Sequence, residues 1–151
     1  MIKLTDLIQQ AVEAMKNPDT SDLLAPSFVV GDTYNVDKTL DQITTLPCVI
    51  FMQPVTGSYA VRGASLVRLS DVLIAVAIDR AHVDEGGEEV NDQEETLHPL
   101  AIELLRCINN VKGLTVPGSV RWQFTTGRYD RGMSLVTLSF TTEHIAISSI
   151  C

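Results

Sequence analysis

The stretch Leu66–Asp79, LVRLSDVLIAVAID, decides how this chain is read. From Val72 onward the even positions are Val72, Ile74, Val76 and Ile78, all β-branched, and the odd positions are Leu73, Ala75, Ala77 and Asp79. Successive side chains of a strand point to opposite faces, so the stretch reads as one long strand with a bulky apolar face and a small, mostly apolar one. It lacks the apolar-in, polar-out alternation of a strand with one solvated face. The pattern predicts a strand central in a sheet, its bulky face under a helix and its small face close to another neighbour.

Upstream, Pro47–Val55 (PCVIFMQPV) is a second apolar strand, with prolines at positions that suit a strand start and exit. Thr56–Gly57–Ser58 opens a loop and Gly63 precedes the long strand, so the two strands are expected to pair as an antiparallel hairpin with a longish connection. Residues 17–45 carry turn chemistry in PDTSD and a short strand at Ser27–Val30, but little other periodicity. The segment exceeds ordinary connections in length. It reads either as an extended arm that reaches a neighbour or as an edge strand with a plain loop. The first element, Leu4–Lys16, carries a helical stripe of Leu4, Leu7, Ile8, Ala11, Val12 and Met15, with Thr5 as a possible cap and Asn17–Pro18 as its stop.

Downstream, residues 80–95 form an acidic loop around Gly86–Gly87. A second helix is expected over Gln93–Asn110, with apolar Leu97, Leu100, Ala101, Leu104, Leu105, Ile108 and Val111 on one stripe. Pro99 conflicts with a regular start there: the helix either kinks or begins its regular part at the proline. Val120–Thr126 alternates as a strand, and Gly127–Gly132 makes a turn. Met133–Ile150 is a long strand or strand pair, in which a bulge near Thr142–His144 would reconcile the parity of Phe140 with that of Ile145 and Ile147. The order of elements predicts a single α+β domain over residues 1–151: an antiparallel sheet of about four to five strands with two main helices packed on one face.

A length of 151 residues fits one domain with a sizeable core. No stretch approaches the run of about 18 apolar residues that a membrane span needs. The start, MIKLTDLIQQ, lacks the pattern of a signal peptide. Cys48, Cys107 and Cys151 are far apart and odd in number, which argues against a disulfide framework or a zinc site and for synthesis in a reducing compartment.

The net charge of −8 is unevenly placed: Val83–Glu95 holds seven acids, and without them the chain is close to neutral. Clustered Lys and Arg of the kind that grips a phosphate backbone are absent from the sequence pattern. Arg121, Arg128 and Arg131 form a small basic group around the last hairpin. Together with Asp84, Glu85, Glu88 and Glu89 they are candidate subunit or partner contacts, since an acidic patch and a basic patch on different parts of one chain suit a head-to-tail contact between copies. Each group also has a plain reading as solvated surface. Glycine-rich phosphate loops, a nucleophile elbow, HExxH and the spacing of an EF-hand loop are all missing. His82, His98 and His144 are scattered, and Trp122 and Tyr129 read as core and turn residues. No catalytic residue, metal site or cofactor is expected.

The succession of an N-terminal helix, the Leu46–Pro47 strand start, a long strand ending in VAID, a polar loop, an LxxLAxELLRxI-type helix and a closing hairpin with a Tyr129–Asp130 turn resembles the tail-terminator proteins of long-tailed bacteriophages, also called tail-completion or head–tail joining proteins. The resemblance spans roughly Leu46–Ile147. It implies a non-enzymatic structural virion protein of the tail or neck, made in the host cytoplasm. Its small α+β subunit would form a homo-oligomeric ring, commonly a hexamer. Such a ring ends polymerisation of the tail tube and contacts the tube protein and the head-side connector, while DNA passes through without specific binding. The other reading open to the residues is a small homo-oligomeric ligand-binding or regulatory protein.

Overall fold

A computed structural model describes residues 3–31, 46–79, 96–116, 118–128 and 133–147, the side chains of 79, 126–128, 133 and 145–147 excepted. The element order is α1 (Leu4–Glu13), β1 (Ser27–Gly31), β2 (Cys48–Met52), β3 (Gly57–Arg62), β4 (Ser65–Asp79), α2 (His98–Asn110), β5 (Leu114–Thr115), β6 (Arg121–Arg128) and β7 (Met133–Ile147).

The expected long strand is β4, and it is the axis of the sheet. It pairs antiparallel with β7 along nearly its whole length, from Leu66 opposite Ile147 to Asp79 opposite Met133. These two strands form a central ribbon whose outer edges are each shared by two shorter strands. On the β4 side, β3 takes the first half and β2 the second. On the β7 side, β6 takes the first half and β5 the second. At the Asp79 end the sheet therefore runs β1-β2-β4-β7-β6, and at the Leu66 end β3-β4-β7-β5.

The wide end has a continuous register that explains its two faces. One row across all five strands is Phe28–Val49–Val76–Val136–Phe124, and the next on the same face is Val30–Phe51–Ile74–Leu138–Trp122. Both helices pack on this face, with Leu4, Leu7, Ile8, Ala11 and Val12 of α1 and Leu100, Ala101, Leu104, Cys107 and Ile108 of α2 buried in one cluster with the sheet residues. Fully burying one such aliphatic side chain is worth about 1.5–3 kcal/mol, so this layer dominates the stability of the domain. The row between those two is Val29–Ile50–Ala75–Thr137–Gln123, on the opposite face. There a smaller buried cluster gathers Val29, Cys48, Ile50, Ala77 and Leu135.

The expectation of an antiparallel sheet of four to five strands is overturned. The fold is mostly sheet rather than a clean antiparallel sheet with helices packed on it, and among the described residues that sheet is mixed, curled and built from seven strands. Three strands account for the difference: β1 by its direction, and β3 and the two-residue β5 by adding to the number. β1 lies parallel to β2, with Ser27 opposite Cys48 and Gly31 opposite Met52. A parallel neighbour needs a long crossover connection, and residues 32–47 provide the length. β3 forms inside what the sequence presents as a loop. Its two-residue turn to β4 places Gly63 at a φ of 61°, which suits glycine.

Helix and strand ends also shift. α1 stops at Glu13 rather than Lys16, and Lys3, not Thr5, precedes its first turn, with no side-chain capping bond. Regular helix in α2 begins at His98 with Pro99 in the first turn, where its missing N–H costs nothing. Gln93–Glu95 lie outside the described residues. The bulge in β7 falls further along than Thr142–His144: the register shifts between Val67 opposite Ile145 and Leu66 opposite Ile147. Of residues 17–45, Asn17–Gly31 are described and 32–45 are not. The described part is a turn closed by a Lys16–Leu23 bridge, followed by β1.

Candidate functional site

The described surface offers two kinds of feature: strand edges and open clefts. At the wide end of the sheet the outer edges of β1 and β6 have no strand neighbour among the described residues. β1 runs parallel to β2, and each following pair in β2-β4-β7-β6 is antiparallel, so the two edge strands point in opposite directions. Trp122 sits on the β6 edge, 55% exposed, with its ring set edge-on to His98 of α2 at 4.6 Å between centroids. The α2 N-terminus thereby braces the β6 edge.

Arg121 begins β6 on the face away from the helices, exposed, in the row Gly31–Met52–Leu73–Ser139–Arg121. It lines an open cleft with Asp71, Leu73, Ser119, Ser139 and Thr141. Asp71 is already engaged: Thr56 Oγ1 donates to its Oδ2 at 2.7 Å and Thr141 Oγ1 to its Oδ1 at 3.1 Å. Arg128 lies in register with Met133 at the opposite end of β6. It is seven positions along the strand from Arg121, roughly 23 Å, so these two arginines are not one basic cluster. Arg131 and the acids Asp84, Glu85, Glu88 and Glu89 lie outside the described residues.

A second cleft, of about 500 Å³, opens at the N-terminus of α1. Its lining includes Lys3 and Thr5 from the helix start, Ser58 and Tyr59 from β3, and Arg68 and Ser70 from β4. Close approach of β3 to β4 shapes one wall. A Cβ on Gly57 would fall 2.1 Å from the Leu69 carbonyl oxygen, so only glycine fits there. Across the sheet Tyr59, Arg68, His144 and Leu114 stand in one row, on the helix side of the sheet. Arg68 and Lys3 make no ion pair among the described residues. The Nε atom of Arg68 and both ring nitrogens of His144 are buried without a hydrogen-bond partner in the protein. Burial, and then the charge of Arg68, hold the imidazole of His144 below its ordinary pKa.

Other titratable groups have structural duties. Glu103 of α2 accepts a bond from the Lys16 amide at 2.6 Å and from Arg106 Nε at 2.7 Å, tying the end of α1 to α2. The Arg106 hydrogen bond is the main reason its carboxyl is held low. Burial pushes the Cys48 thiol up to about 11, and burial first, then Glu103, raises that of Cys107. Both are protonated at neutral pH and poor nucleophiles. Among the described residues no group of three or more His, Cys, Asp or Glu is placed to hold a metal ion. No described helix is long and apolar enough to cross a membrane.

The cleft residues escaped the sequence reading, although β4 carried a signal. On its helix-facing parity the run Val72–Ile78 is apolar, and the two preceding positions of that parity are Ser70 and Arg68. A charged residue on a core-facing parity marks the place where a face changes function. The chain matches no family model and no curated protein.

Proposed function

We propose that the chain is a structural ring subunit of the tail-terminator kind, at the head-proximal end of a phage tail, where it ends tube polymerisation and meets the head-side connector. The observation that supports this reading is the pair of open, oppositely directed edges at the wide end of the sheet. When copies repeat head to tail in one orientation, the β6 edge of one copy meets the β1 edge of the next as an antiparallel pair. Different patches of identical subunits that meet this way close into a ring when the rotation permits. Main-chain hydrogen bonds supply affinity in such strand addition, and flanking side chains set register. In this reading Trp122 and Arg121 at the β6 edge face the neighbouring copy. Arg128, Arg131 and the acidic Asp84, Glu85, Glu88 and Glu89 steer the encounter. An acidic ring also suits passage of DNA, because it repels phosphate and does not retain it. The open cleft of about 500 Å³ favours the second reading, a small homo-oligomeric ligand-binding protein.

Negative-stain imaging and solution mass of the purified chain, with and without tail tubes, test the first reading. Rings of about six copies, or monomers that assemble on tube ends, are expected. A stable monomer that ignores tubes overturns it.

A further inference from the structure

We propose that the cleft at the N-terminus of α1 binds a phosphate-bearing small molecule, with the phosphate between Lys3 and Arg68 and the organic part against the ring of Tyr59. Two cationic side chains from elements far apart in sequence line one cleft, and neither is neutralised by an acid among the described residues. Asp6, the acid of the first turn of α1, is not part of the lining. The Nε of Arg68 is buried with a donor to give and no acceptor in the protein. The first turn of α1 adds amides that no side chain caps. Hydroxyls of Thr5, Ser58 and Ser70 border the same space.

This donor set selects the ligand class. It offers a planar guanidinium fork, a mobile ammonium and helix-end amides, all donors, which suits a tetrahedral oxyanion with several acceptor oxygens. A volume of about 500 Å³ is larger than an inorganic phosphate needs and falls in the range of small-molecule sites. Tyr59, directly opposite Arg68 and 69% exposed, supplies a free aromatic face for the remaining part of the ligand. Arg68 lies five residues along β4 from Leu73, the first row that reaches the β1 and β6 edges, roughly 17 Å, and neither Arg121 nor Trp122 lines the cleft, so its occupancy and ring assembly are separately measurable.

Isothermal titration calorimetry of the full chain with adenosine monophosphate, inorganic phosphate and adenosine tests the proposal. One-to-one binding of the monophosphate is expected, with adenosine at least about tenfold weaker and inorganic phosphate competing. Arg68→Gln is expected to lower affinity about tenfold or more. Because Arg68 is partly buried, Thr5→Glu serves as a second variant. A carboxylate in the first turn favours the helix but repels an anion at that point, so this chain should melt like the parent and lose binding. Lys112→Gln, away from the cleft, should bind like the parent. Absence of saturable binding by either phosphate compound overturns the proposal, as does unchanged affinity in both Arg68→Gln and Thr5→Glu.

Discussion

Neighbouring residues of β4 should respond very differently to truncation, because the strand alternates between a packed and an open face. Ile74 is 0% exposed in the row Val30–Phe51–Ile74–Leu138–Trp122, under the helices. Leu73, one residue earlier, is 37% exposed on the other face, beside Ser139 and near Arg121. Ile74→Ala removes three buried carbons. At about 0.8 kcal/mol each the lost transfer energy is about 2.4 kcal/mol. The hole left among Phe51, Leu138 and the helix side chains closes only in part, which raises the expected loss to about 3–4 kcal/mol. Leu73→Ala removes the same number of carbons from a site already open to water, with an expected loss below about 1 kcal/mol. Urea unfolding followed by far-ultraviolet circular dichroism measures both, with the midpoint shifted and the slope unchanged. For a domain of this length the difference corresponds to about 5–12 °C in Tm. Equal losses at the two positions would refute the assignment of faces and, with it, the register of the whole ribbon.

Gly57→Ala should destabilise by about 1–3 kcal/mol, since its Cβ meets the Leu69 carbonyl at 2.1 Å and backbone must move to admit it. A thermal melt equal to the parent's would show that β3 does not approach β4 so closely. His144 makes stability depend on pH. Its folded pKa lies below the ordinary value of 6.5, so the unfolded chain takes up the proton more readily. Stability is full above that value and falls as pH drops through 6.5 toward the folded pKa. Urea midpoints between pH 5 and 8 should show this slope, and His144→Gln should flatten it; an equal slope in the variant would exonerate His144.

The long strand and its bulky face were legible because β-branched residues at alternate positions have few other uses. Other parts were hidden for identifiable reasons. The alternation of SFVV is the same whether the strand pairs parallel or antiparallel, so the parallel pairing of β1 with β2 left no mark in the strand itself. β3, GSYAVR, is exposed on both faces except near Ala60 and is held by backbone pairing with β4, so it has no apolar face to detect. The β7 bulge was placed from the parity change between Phe140 and Ile145 alone, which does not say where between or beyond them the register shifts. Thr142 and His144 both keep the core-facing parity and are buried, Thr142 with its hydroxyl donating to the Thr115 carbonyl at 2.8 Å. The proposed cleft draws on residues 3, 5, 58, 59, 68 and 70, which only the pairing of β3 with β4 and the placement of α1 bring together.

The lengths of the elements explain why β4 changes character midway. Its 15 residues span roughly 50 Å as a strand. The 10 residues of α1 and 13 of α2 span roughly 15 and 20 Å as helices. Neither helix can cover the strand from end to end, so a strand apolar throughout would expose a long greasy flank at one end. The switch from Val72 to Ser70 and Arg68 coincides with the start of α1, whose Lys3, Leu4 and Thr5 line the same cleft as Arg68 and Ser70. Past that point the helix-facing side meets Tyr59 and Val61 of β3, both exposed, rather than a helix stripe. The fold therefore has a packed half, fixed by side-chain burial, and an open half, held by strand pairing. A substitution in the packed half acts on stability, whereas the exposed Tyr59 or Lys3 can change with little loss of core and act on the proposed cleft.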